Sequence, residues 1–335
     1  MQWPWQAPAR QRNITKECDT SFLYYPKVTE PVETIKILWQ SLAEMAAQTK
    51  GPSELTITFS NAPMKPARQW VDMVDWMNQQ KLASVTATLC SKTNGVRLVS
   101  SVPNTEEAVT PTTFPDHAII TERTKAWVRR ILVDMGICPF TKSATRSGHG
   151  VAGVPVAKIA YHTSTSTSVP ALLADAWMAM DAMLQAGPRN VSSILMAAPA
   201  FDDDFGFWAG PIFTLLETSV VVADATDDLG VVCFHPKYQT PDGSSWPGFG
   251  HMHSVPRLVS FCNGKLSEEA VAEGGAWQRR TPHATINVLR ADQLAAAEGK
   301  RSTPDLYAEN IGKLLAVADG LPGELERERS IGGSD

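Results

Sequence analysis

Apolar and polar residues recur with two different periods along this chain, and the switches between them mark its elements. Within 33–48, Ile37, Leu38, Leu42 and Met45 fall at helical spacing and predict an amphipathic helix. Leu55, Ile57 and Phe59 then alternate with Thr56 and Thr58, the two-residue period of a half-buried strand. Pro66 opens a second helix to Gln79, with Trp70, Val74 and Met77 on one stripe. Two strands follow over 82–90 and 96–102, and Asn94-Gly95 between them is the pair a tight hairpin turn favours. Residues 31–110 therefore read as a small α+β accessory domain, a βαββ unit behind a helix. Residues 1–30 hold no sustained period and read as an extended aromatic arm with Trp3, Trp5, Tyr24 and Tyr25.

Pro103 to Pro115, rich in Thr, Pro and Asn, is the expected linker. Beyond it, Trp127, Val128, Ile131 and Met135 define a helix over 121–135, closed by Gly136. Strands are expected over 154–161, 191–197, 230–234 and 284–289, and helices over 171–185, 205–217, 292–299 and 305–318. Gly210-Pro211 should interrupt the helix at 205–217, because proline lacks the N–H and crowds the preceding turn. Residues 240–275, rich in Gly, Ser, Pro and Trp, read as a long loop, and the charged, Gly-bearing tail at 320–335 as disordered. The fold class is α+β. A main domain over 121–318 has a four-stranded sheet with helices mainly on one face, a ferredoxin-like α/β sandwich.

Composition narrows the function classes. With 335 residues, 43% hydrophobic and 19% charged, the chain can bury a large core. A formal charge of −5 argues against nucleic acid as partner. The basic run from Arg123 to Arg130 reads as a solvated helix face. Five scattered cysteines without a C-x-x-C pair indicate neither a disulfide scaffold nor a zinc ribbon, and fit a reducing compartment. The start lacks a secretory layout, and Asp175 and Asp181 interrupt the longest apolar stretch. The expectation is an intracellular, soluble chain without a membrane span, in the cytoplasm or an organelle interior, a plastid included. Phosphate-loop, nucleophile-elbow, zinc-protease and dinucleotide motifs are absent.

Three patches carry candidate chemistry. Cys138 follows a helix in Ile137-Cys138-Pro139-Phe140, as a packing thiol, a nucleophile or a metal ligand; a helix C-terminus disfavours a thiolate, so Lys142, Arg146 or an imidazole would have to offset it. His235 leaves a buried strand at its C-terminal end, where such sheets expose functional groups, and Pro236 fixes its backbone. It is the candidate general acid/base, with Tyr238 and Gln239 on the same edge. Arg280 and Arg290 flank the last strand as a clamp for a carboxylate or phosphate, or as members of internal ion pairs with Glu309 or Asp305. Asp202-Asp203-Asp204 reads as a helix cap before a metal site. His251-Met252-His253 with Cys262 is a weak metal pattern, and no metal site or cofactor is specified.

From Thr121 to about Leu315 the chain resembles a bacterial and plastid-lineage family, domain of unknown function 1415. Thr124-Lys125-Ala126-Trp127, Ile137-Cys138-Pro139-Phe140 with Lys142, and Phe234-His235-Pro236-Lys237-Tyr238-Gln239 carry the resemblance. So do Arg280-Thr281-Pro282-His283, Val288-Leu289-Arg290 and the closing Leu306 to Ile311. The resemblance implies an α+β domain without an assigned activity. Such families usually place a histidine where Asn287 stands, so a mechanism needing that imidazole is in doubt here. The leading expectation is an enzyme acting on a small anionic molecule. His235 would be general acid/base, Cys138 a nucleophile, and Arg280, Arg290, Tyr238, Gln239 and Lys142 the binding groups. The alternative is a non-catalytic ligand-binding or assembly protein using the same polar edge, with the aromatic arm meeting a partner protein.

Overall fold

The computed structural model describes residues 11–15, 20–47, 53–90, 93–100, 113–150, 153–244, 250–298 and 302–333. Trp3, Trp5, Cys18 and most of the expected linker lie outside these residues. The chain divides into two compact units. The first is Met1–Thr110 with Ser168–Asp181 and Ser219–Ala225; the second is Pro111–Thr167, Ala182–Thr218 and Thr226–Asp335. Residues 168–181 and 219–225, from the middle of the chain, thus group with the N-terminal unit.

In unit 1 the elements are β1 (Gln11–Thr15), β2 (Thr20–Tyr25), α1 (Pro31–Ala46), β3 (Ser53–Phe59), α2 (Met64–Gln79), β4 (Val85–Cys90) and β5 (Gly95–Ser100). They build one mixed sheet in the order β1-β2-β3-β5-β4, with β2 and β3 parallel and the rest antiparallel. The expected β4–β5 hairpin forms, Cys90 opposite Gly95. Part of the supposed arm is sheet: β2 pairs with β3 along its whole length, and Tyr25 is buried. The predicted stripes of α1 and α2 meet, Trp39 edge-on to Trp70 at 5.6 Å. Burying each such side chain contributes about 1.5–3 kcal/mol before entropy is counted.

Unit 2 begins with α3 (His117–Trp127), which runs on as a π-helical segment over Val128–Asp134 and ends at Gly136, φ +63°. Then come β6 (Thr141–Ser143), β7 (Arg146–Ser147), β8 (Ala157–Thr163), α4 (Val169–Ala186, of which 182–186 belong here), β9 (Val191–Ala197) and the single turn α5 (Phe205–Phe207). Next are α6 (Phe213–Val222, of which 213–218 belong here), β10 (Leu229–Phe234), α7 (Val255–Phe261), α8 (Glu268–Trp277), β11 (Thr285–Arg290), α9 (Ala291–Glu298), α10 (Thr303–Leu315) and α11 (Leu321–Ser330). The sheet has six strands in the order β10-β11-β9-β8-β7-β6, with β8 and β9 parallel. The α+β class holds. The expected four-stranded ferredoxin-like arrangement does not follow from this order.

Four local expectations change for physical reasons. Between α5 and α6 the chain does not break at Pro211; Trp208–Ile212 widens into a π-helical turn that accommodates the ring. The loop at 240–275 contains α7 and the start of α8. Its glycines serve close packing: a Cβ at Gly274 would lie 2.8 Å from Ile311 Cγ2, so α8 and α10 approach closely. The tail is helical. In α11, Leu321 and Leu325 enter a core with Trp127, Ile131, Phe234 and Trp277, and Glu328 takes Arg130 bidentately at 2.6 and 2.9 Å. Of the basic run, Arg123 is buried and Arg130 is paired with buried Glu328, while Arg129 stays exposed, so only part of it is a solvated face. Among the described residues Phe205–Val222 is long and apolar enough to cross a membrane, and half of it is buried inside the fold, as a core helix is.

Candidate functional site at the strand ends of unit 2

Strand register sets the site. Thr285 pairs with Phe234 on one side and Ala197 on the other, and Ala197 with Thr163. The ends of β8, β9 and β10 and the start of β11 therefore share one edge, and the segments 198–204, 235–240 and 279–284 leave the sheet together. Both faces of the inner strands are largely covered: β9 is buried at six of its seven positions and β11 at four of six.

His235 sits at this edge, as expected, with both ring nitrogens engaged by backbone groups. It is 0% exposed. Its Nε2 lies 2.9 Å from Phe201 O, and its Nδ1 accepts from the Lys237 N–H at 3.0 Å. A carbonyl can only accept, so Nε2 carries the hydrogen and the ring is neutral. Phe205 and Trp208 pack against it. Burial holds its pKa below the ordinary imidazole value, with the Phe201 carbonyl acting in the opposite sense. Both ring nitrogens of the expected general acid/base thus hold the backbone, and His235 lies outside the lining of the cavity at this edge.

Arg290 is likewise engaged by the backbone. It is 7% exposed, and its Nε and Nη2 donate to Val191 O at 2.9 Å and Met183 O at 2.6 Å, fastening the end of α4 to the start of β9. Burial lowers its pKa. Tyr238 is buried beside Phe205, where burial pushes its hydroxyl pKa up; it offers the site its backbone carbonyl. Cys138 makes local bonds, its Sγ accepting from Thr141 Oγ1 at 3.3 Å and its N–H reaching Leu132 O. Lys142 is exposed on β6.

Arg280 is placed differently. Its guanidinium lies 4.4 Å over the Trp277 ring, Nε donates to Tyr238 O at 3.2 Å, and Nη1 reaches Glu273 at 3.2 Å. It lines a cavity of about 470 Å³ with Pro236, Lys237, Gln239, Trp277, Pro322, Leu325 and Glu326. Of the expected site residues, this cavity brings together Arg280 and Gln239. It leaves out His235, Cys138, Tyr238, Arg290 and Lys142. It adds Lys237, whose Nζ also meets Asp203 at 3.1 Å.

The acidic triplet organises the edge. Asp204 Oδ1 caps Phe207 N, as a helix cap should, and Asp203 holds Lys237. Asp202 accepts from Ala284 N at 2.7 Å and from His283 Nδ1 at 2.8 Å. On the far side of that ring, Nε2 faces Arg123 Nη1 at 3.3 Å. Arginine only donates, so His283 is the neutral Nδ1–H tautomer with its lone pair occupied. Arg123 continues to Ile331 O at 3.0 Å. Sequence reasoning missed this Asp202–His283–Arg123 chain: its members are 81 and 160 residues apart, and only three adjacent aspartates hinted that they share no single role. Among the described residues no three His, Cys, Asp or Glu side chains form a group that could hold a metal. His253 instead sits edge-on to Tyr307 and Phe261.

Residues 119–246 match the family model described as protein of unknown function (DUF1415). The match covers α3, Cys138-Pro139-Phe140 and His235 to Gln239, and it ends before Arg280 and His283, short of the expected extent to Leu315. Neither a curated protein nor a solved structure matches the chain.

Proposed function

We propose that the strand-end edge of unit 2 binds a small carboxylate without transforming it, in the cavity floored by Trp277 and headed by Arg280 and Lys237. The matched family brings no activity with it, so the reading rests on side-chain geometry. The observation that carries it is the anchoring of Arg280. The ring beneath and the Tyr238 carbonyl beside it fix the plane of the guanidinium, so little freedom remains to lose when a carboxylate docks on its remaining edge. Lys237 and Gln239 add a charge and an amide at the same wall.

A volume of about 470 Å³ falls within the range of small-molecule sites. Glu326 in the lining and Glu273 beside Arg280 cancel part of the positive charge, which favours a monoanion over a dianion. Binding is favoured over catalysis because His235 and His283, the imidazoles of this edge, have both nitrogens occupied.

The reading is tested by thermal shift and calorimetry with acetate, benzoate and succinate on the full chain and on Arg280→Ala. One of the three should bind saturably, and Arg280→Ala should weaken it roughly tenfold or more. Equal binding by both proteins would remove Arg280 from the site, and no binding by any of the three would remove the function.

A further inference from the structure

The cavity of unit 2 is lined by charges of both signs, and the fold leaves one of them unanswered. Arg280 and Lys237 each have an acid beside them: Arg280 Nη1 meets Glu273 at 3.2 Å, and Lys237 Nζ meets Asp203 at 3.1 Å. Glu326 lines the same cavity. Among the described residues it makes no ion pair, whereas Glu324, two residues earlier, is taken by Arg327 at 2.9 Å.

The helix fixes where this carboxylate stands. Pro322, Leu325 and Glu326 fall at i, i+3 and i+4 of α11, which is one face of a helix, and all three line the cavity. On either side of Glu326 the helix is anchored. Leu325 is buried in the core with Trp277, and Glu328 takes Arg130 at 2.6 and 2.9 Å. No contact of the fold requires Glu326 itself, which is exposed.

The balance of charge then bears on the ligand. With the ion partners counted, the cavity has two cations, Arg280 and Lys237, and three acids, Asp203, Glu273 and Glu326. A simple carboxylate brings a fourth negative charge. A ligand with an ammonium group as well brings no net charge, and it supplies the counter-ion that Glu326 lacks. Pro236, Pro322 and Leu325 make the remaining lining apolar.

We infer that the ligand is an amino acid with an apolar body, its carboxylate on Arg280 and its ammonium on Glu326. The inference rests on the proposed carboxylate site and makes Glu326 the residue that determines its specificity.

The test is calorimetry at neutral pH with two matched pairs, L-phenylalanine against 3-phenylpropanoate and 6-aminohexanoate against hexanoate. It uses the full chain, Glu326→Gln and Glu324→Gln, with far-ultraviolet circular dichroism confirming each fold. In one pair at least, the amino member should bind the parent chain roughly tenfold or more tighter than its partner. Glu326→Gln should erase that preference, and Glu324→Gln should keep it. The pair that shows it gives the spacing of the two charged groups. Plain carboxylates that bind as well as their amino partners would overturn the inference and leave the carboxylate site standing. A preference that survives Glu326→Gln, or that Glu324→Gln also removes, would overturn it too. No binding by any of the four would remove the carboxylate site along with it.

Discussion

The two sheets treat their faces differently. In unit 1, β3 alternates buried with half-buried residues along its length, and β2 leaves Phe22 and Tyr24 exposed, so one face of the sheet is open. In unit 2, β10 is buried at all six positions. A half-covered sheet spreads polar residues along every strand; a fully covered one pushes them to its ends. All seven histidines belong to unit 2. The contrast explains why the chemistry-grade residues crowd at one edge there, and why most of them are spent holding that edge together.

Substitutions can break or sharpen this contrast, and the largest effect should come from α11. Arg130→Ala leaves Glu328 buried and unpaired, which should destabilise unit 2 by about 3–5 kcal/mol in urea unfolding. Little change would mean α11 is not part of the fold. Next in size, Ile286→Ala in the doubly covered sheet should cost about 2–5 kcal/mol. Thr88→Ala on the open face of unit 1 should stay within about 0.5 kcal/mol, and similar costs at the two positions would erase the comparison. His283→Phe strands Asp202 and Arg123 and should cost about 1–3 kcal/mol, read as a shifted denaturation midpoint.

The smallest effect is a slope against pH. Burial holds His162 and His253 at about 4, below the ordinary value of 6.5. Over that window the unfolded chain binds the extra protons, so unit 2 should lose stability as pH falls from about 6.5 toward 4. Burial raises the pKa of Glu217 and Glu328, whose contribution is greatest at low pH and fades as pH rises through their folded values; they offset part of the slope. His253→Phe should flatten the fall in melting temperature across this range, and an unchanged slope would show that His253 is not a buried neutral imidazole.

Much of the fold was legible because periodicity reports burial. The strands at 191–197 and 230–234 and the helices around α1, α2 and α4 were within a few residues of their observed bounds. What failed were segments whose composition imitates flexibility. Gly274 and Gly275 permit helices to touch, and the charges of α11 surround just two core leucines and one buried glutamate. The site was half legible. A strand end located His235, and two flanking arginines located Arg280. No sequence pattern says that His235 and Arg290 are engaged by backbone groups or that Arg280 rests on Trp277.

The central claim is that among Arg279, Arg280 and Arg290 one guanidinium, Arg280, is left to meet a ligand in the cavity. The most direct measurement follows the Nε–Hε resonances of these three arginines by nuclear magnetic resonance while benzoate is added, with Arg280→Lys supplying the assignment. The Arg280 resonance should move saturably while those of Arg279 and Arg290 stay fixed. A stationary Arg280, or movement at Arg290, would contradict the account.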